Sequence, residues 1–230
     1  MRWISAMLLV LGAWLLVPGH ESHAEPAKDS AASPLTGSGE AAKGENAKVE
    51  GFRSASFGMT EAQVRQAIRK DFPIPGEKIA SEANAGEKTT VLSVIVPDLI
   101  PNTGKAHVNY ILGYTTKKLI QVNINWANEP KIAGAEELVG AANLLRNYFM
   151  AEGYRPDSIV ANRQLPNGYV VFRGQDEQSR MVLLVLSGAT AAGEADKDKP
   201  PEKPQPIALQ LSYILNPEHP DVYQVPKGSF

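Results

Sequence analysis

Few residues in this 230-residue chain are equipped for chemistry. There is no cysteine, which excludes disulfides, thiolate metal sites and a cysteine nucleophile. Of the four histidines, His20 and His23 fall near an apolar N-terminal run, which leaves His107 and His219. Any serine–histidine arrangement must use one of these two. His107 opens a strand on the face opposite Tyr110, where a surface histidine is the ordinary case, and His219 sits between prolines. Lys117 and Lys118 fall in a hairpin turn beside Tyr114. Their ammonium groups suit an anionic ligand or partner, although turn lysines are ordinarily solvated. Arg173 and Asp176 flank Gly174 at a strand end. Their default use is a salt bridge or turn hydrogen bonds; their functional use is a bidentate grip of Arg173 on a carboxylate. Tyr114, Lys117, Lys118, Arg173 and Asp176 are the candidate binding residues.

No catalytic residue emerges. Carboxylates are plentiful, but no spacing selects an acid/base pair. Asp71, Asp98 and Asp157 adjoin helix or strand ends, where aspartate is ordinary. The chain has no phosphate-cradling glycine loop, no Gly-x-Ser-x-Gly and no His-Glu-x-x-His. No cofactor or metal is expected. A net charge of −2 without a basic patch disfavours nucleic acid, and no basic amphipathic stretch favours a membrane surface.

Met1 to Ala24 reads as a secretory signal peptide. Arg2 supplies the positive start, Trp3 to Val17 the apolar run, Pro18-Gly19 the break and Ser22-His23-Ala24 the cleavage signal. The run is shorter than the roughly 20 residues a membrane anchor needs. The mature chain is expected to start near Glu25 and to reside in the periplasm, without a stable membrane anchor. Residues 25–50 lack aromatic side chains and are rich in Ala, Ser, Gly, Lys and Glu, the composition of a disordered linker.

Within a single domain over 51–215, two helices and seven strands must position the candidates. Thr60 and Gln63 form a capping box, Met59 and Val64 a hydrophobic staple, and Glu61 complements the helix dipole. The helix runs from about Glu61 to Asp71, with Val64, Ala67, Ile68 and Phe72 on one stripe. Ala80 to Glu87 reads as a loop. Strands follow over Thr89–Val96, Ala106–Tyr114 and Leu119–Trp126, whose alternation points to one buried face. The loop Pro97–Gly104 carries Leu99 and Ile100, which either fold onto the core or meet a partner. A second helix spans Ala133–Glu152. Strands over Ser158–Gln164, Tyr169–Arg173, Met181–Leu186 and Ile207–Leu215 complete the set. Tyr110, Tyr114, Trp126, Tyr148 and Phe149 are expected core aromatics. Residues 187–206 read as a mobile loop and 216–230 as an irregular tail. The fold class is α+β, an antiparallel sheet of about six to seven strands covered on one face by two helices, ordered α-βββ-α-ββββ. Whether the two helix-plus-strand halves are a duplication stays open.

Gly58-Met59-Thr60-x-x-Gln63-Val64 resembles the helix start of BamE/SmpA-type outer-membrane lipoproteins, and the similarity extends to β-lactamase-inhibitor-like periplasmic modules. The wider pattern, including Val96-Pro97-Asp98-Leu99 and Phe172-Arg173-Gly174, is similar to exported proteobacterial proteins. The resemblance implies a helix before an antiparallel sheet and work done by binding other proteins. This chain departs from the lipoproteins in lacking a lipidation cysteine and in having a second helix and strand set. The expected function is an exported binding or structural module that contacts a protein or envelope component, without catalysis. The alternatives are a carboxylate-dependent hydrolase of cell-wall glycan and a carrier of a small apolar ligand.

Overall fold

The computed structural model describes residues 46–127, 134–188, 207–226 and 228–229. The segment expected to be a signal peptide, the expected linker as far as 45 and residues 189–206 of the expected loop lie outside the described residues.

Helix α1, Glu61–Asp71, starts where its capping residues place it. Gln63 Oε1 accepts the Thr60 N–H at 2.9 Å, and Glu61 pairs with Arg65 one turn on. The residues before the helix have a further use. Gly58, at φ +83°, donates its N–H to Leu119 O, and Met59 O accepts the Leu119 N–H. Thr60 bridges to Lys118. The Gly58-Met59-Thr60 segment thus ties the helix start to the head of a distant strand.

Strands β1 (Gly51–Phe52) and β2 (Ala55–Ser56) form a small ribbon before α1. Strands β3 (Ala80–Ala83), β4 (Thr90–Pro97), β5 (Lys105–Leu112) and β6 (Leu119–Ala127) follow it. Helix α2 (Ala135–Met150) then precedes β7 (Val160–Leu165), β8 (Gly168–Gln175), β9 (Met181–Ser187) and β10 (Ala208–Ile214). The fold is α+β. The strand count is larger than the sequence pattern indicates, with eight strands in one antiparallel sheet ordered β3-β4-β5-β6-β10-β9-β8-β7, plus the ribbon. Strand β3 falls where a loop is expected, because all four of its residues are exposed and carry no hydrophobic alternation.

The two halves repeat one topology. Each is a helix, a 3-10 turn (Gly76–Lys78 or Pro156–Ser158) and a four-stranded meander. The meanders join through antiparallel pairing of their last strands, β6 and β10. Such pairing relates the halves by an approximate two-fold axis normal to the sheet.

Paired residues of an antiparallel ladder share a face, so register fixes which side chains meet the helices. One row runs Val94, Val108, Ile124, Leu211, Leu184 and Phe172, and all six are buried. Val64 and Ile68 of α1 and Leu138 and Phe149 of α2 belong to the same core. Both helices therefore cover one face. Leu99 and Ile100 pack partly against this core, so their loop folds back.

Three expectations need correction. Tyr114 lies beyond the end of β5 and is half-buried, because Gly113 breaks the alternation that would carry it inward. Tyr148 is 57% exposed on a flank of α2, while Tyr110, Trp126 and Phe149 are buried. The last linker residues are packed. Ala47 and Val49 are buried, and Ala47 donates its N–H to Gly153 O at 3.1 Å.

Candidate functional site

The sheet has a second face, and no described helix lies over it. Its central row reads Ser93, Asn109, Asn123, Ser212, Leu183, Arg173 and Val160 from β4 to β7. The row above it reads Ile95, His107, Asn125, Gln210, Val185, Val170 and Arg163. Apart from the exposed Ile95, the β4–β6 part of these rows carries amides, a hydroxyl and an imidazole, and the β9–β7 part carries aliphatic side chains with Arg173 and Arg163. Ser93 Oγ donates to Asn109 Oδ1 at 2.7 Å, and Gln121 Nε2 to Asn123 Oδ1 at 2.8 Å. Gln210 Nε2 donates to Ser212 Oγ at 3.0 Å. These in-plane bonds preset the amides; Asn123 and Ser212 at the centre of the row are buried, while the partly exposed Asn109, Gln121, Asn125 and Gln210 leave donors and acceptors for a partner. Ile95 is 52% exposed, and His107 is also exposed. Neither edge suits strand addition. β3 has four residues, and Asn162 interrupts β7 at φ +52°.

The five candidate residues divide between this face and one end of the sheet. Arg173 lies on the face, with its Nε donating to Ser158 O at 3.3 Å. Asp176 is 2% exposed and does not reach out. Its Oδ1 accepts the N–H groups of Gln178 and Arg180, and its Oδ2 accepts Arg180 Nε at 2.7 Å and the Val49 N–H at 2.9 Å. It closes the β8–β9 turn, the default use expected of it, and in addition docks the N-terminal segment, which the sequence did not indicate. The geometry does not bring Arg173 and Asp176 together as a pair.

Tyr114, Lys117 and Lys118 gather at the rim formed by the β5–β6 turn. Lys117, at φ +54°, places its Nζ 5.3 Å from the centre of the Tyr114 ring. Lys118 lines a small cavity there. The structure adds three residues that the sequence did not single out, namely Lys88, Asp221 and Tyr223. Tyr223 meets Tyr114 edge-on at 5.6 Å, and Lys88 Nζ lies 3.6 Å from the Tyr223 ring centre. Asp221 Oδ1 accepts the Thr115 N–H, and its Oδ2 accepts the Thr116 N–H, both at 2.9 Å. Local sequence gave one weak signal of this, a glycine at the head of the turn. A Cβ at Gly113 would sit 2.2 Å from Asp221 Oδ2.

Partial burial pushes the Asp221 carboxyl up, but hydrogen bonds from Thr116 and Thr115 outweigh it and hold the carboxyl at about 2, below the ordinary 3.8. The folded state therefore gains from this carboxylate above about 3.8 and loses that gain as pH falls towards about 2. The Thr115 and Thr116 amide resonances are expected to titrate together with a midpoint near 2, and to stay flat in Asp221→Asn. A midpoint near 3.8 would mean the latch is open in solution.

Among the described residues no group of three or more His, Cys, Asp or Glu could hold a metal ion, and no helix is long and apolar enough to cross a membrane. No protein-family model, curated protein or solved structure matches this chain.

Proposed function

We propose that this chain is an exported binding module of the cell envelope, and that it contacts a protein or another envelope component through the open face of its sheet, without catalysis. The observation that carries this is the one-sided cover of the sheet. Both helices pack on one face, and the described part of the other presents hydrogen-bonding amides beside an aliphatic and arginine-edged half. Mixed donors and acceptors next to apolar surface match a protein partner. Lys105, Arg163 and Arg173 stand on this face against Glu82, which favours an acidic patch opposite. Export is inferred from Arg2, the Trp3–Val17 run and the Ser22-His23-Ala24 cleavage signal.

The alternatives draw less support. A glycan hydrolase needs two facing carboxyls. The one buried carboxylate among the described residues, Asp176, is fully bonded within the chain. An apolar carrier needs roughly 300 Å³ or more. The rim cavity among the described residues measures about 190 Å³, too small by itself.

The test is a photo-cross-linking residue placed in turn at Asn109, Gln210 and Leu144, the last exposed on α2. Adducts are expected in the envelope from the first two positions and not from Leu144. Arg163→Glu with Arg173→Glu should lower their yield about three- to tenfold, as two partly exposed charges would. Equal yields from all three positions would overturn the assignment.

A further inference from the structure

After β10 the chain crosses the rim as a strap without regular secondary structure. Leu215 donates its N–H to Ile120 O, Asn216 Oδ1 accepts the His219 N–H, and Val222 closes a tight turn on Pro220 O. Pro220 to Tyr223 then docks at two points. Asp221 is the first. Its carboxylate accepts the Thr115 and Thr116 N–H groups, and Thr116 Oγ1 donates to it at 2.6 Å. The Asp221 carbonyl also accepts the Tyr114 N–H at 2.8 Å. Successive backbone N–H groups in a turn make an anion receptor, and the contact at Gly113 shows that this one requires glycine beneath the carboxylate. Tyr223 is the second point. Its N–H donates to Glu87 O at 2.8 Å, and its ring meets Tyr114 edge-on while the Lys88 ammonium lies against both rings.

Two features make this more than a tail lying on a surface. Lys88 and Lys117 both hold φ +54°, a conformation glycine or asparagine adopts at lower cost, and both place their ammonium groups over the rim tyrosines. The strap also leaves its own groove unfilled. A cavity of about 190 Å³ remains beside Asp221, lined by Leu119, Ile120, Ile214, Leu215 and Pro220. Close packing is the norm where a segment is a permanent part of a core. Here an apolar space adjoins the residue preceding the anchoring aspartate.

We propose that this rim is a receptor for an extended segment of a partner protein with the pattern apolar–Asp–x–aromatic, and that Pro220–Tyr223 is its resident occupant in cis. A partner carrying a bulkier apolar residue before its aspartate fills the cavity, takes over the Thr115 and Thr116 N–H groups and displaces the strap. The cavity borders the uncovered sheet face at Gln121 and Ile214, but the groups that hold Asp221 and Tyr223 belong to the β5–β6 turn and to Glu87 and Lys88, so the proposal stands even if that face binds nothing.

The test uses the full chain carrying Asp221→Asn and Tyr223→Ala, which empties the receptor. Fluorescence anisotropy follows a labelled peptide spanning 216–226 with Pro220→Leu, and the same peptide with Asp221→Asn as well. The aspartate peptide is expected to bind at least about tenfold tighter than its asparagine counterpart, the ratio a charge-assisted contact supplies. It should bind the unmodified chain more weakly, because the strap competes. Equal binding of the two peptides, or none, would overturn the proposal. Gly113→Ala in the otherwise unmodified chain gives an independent reading. Amide exchange at 221–223 should rise while exchange in β5 and β6 does not, and unchanged exchange at 221–223 would refute the receptor.

Discussion

Asp176→Ala is expected to destabilise the domain by about 3–5 kcal/mol, the usual cost of removing one partner from a buried ion pair. The carboxylate is almost fully enclosed, and the side chain of its partner Arg180 is 15% exposed. Removing it strands that guanidinium and leaves the N–H groups of Val49, Gln178 and Arg180 without their acceptor. An orphaned buried donor carries its full desolvation cost. The damage should also reach beyond the turn, because Val49 is held by this carboxylate and Ala47 by Gly153. Equilibrium denaturation measures the loss, and amide exchange at 47–50 locates it. A change under about 1 kcal/mol would mean that the segment and the turn are held by other contacts.

Phe172→Ala should cost a similar amount, about 3–5 kcal/mol, and lower the melting temperature by about 10 °C for a domain of this size. Phe172 is fully buried and stacks on Phe149 at 5.5 Å, with Tyr154 at 5.4 Å. It is the point where α2 grips the second meander. Gly174 makes this packing possible, since a Cβ there would come within 2.8 Å of both Phe172 and Tyr154. Truncating the ring leaves a cavity that the hydrogen-bonded strands around it can fill only in part. Tyr148→Ala, on the exposed flank of the same helix, should change stability by less than about 0.5 kcal/mol. If the two variants lost equal stability, the aromatic cluster would not be the anchor of α2.

Nearly perfect alternation from Leu119 to Trp126 made β6 and its core face legible in the sequence, because a strand with one face in the core imposes a period of two on its residue types. The start of α1 was legible for a comparable reason, since a cap works through residues three positions apart. β3 was not legible, as a short edge strand buries nothing. Tyr114 was assigned to the core by carrying a strand period through a turn that interrupts it. The turn hydrogen bonds of Asp176 could be anticipated from its position at a strand end, but not its bond to Val49, 127 residues away.

The sequence alone determined the local elements, the sidedness of the strands and the absence of cysteine chemistry. These follow from interactions within a few residues or from residue types themselves. The pairing of β6 with β10, the gathering of both described helices on one face and the seating of Asp221 against Thr116, 105 residues away, were decided by tertiary structure. Their partners are brought together only when the two meanders close on one core, and no local pattern encodes which distant backbone N–H a carboxylate will find.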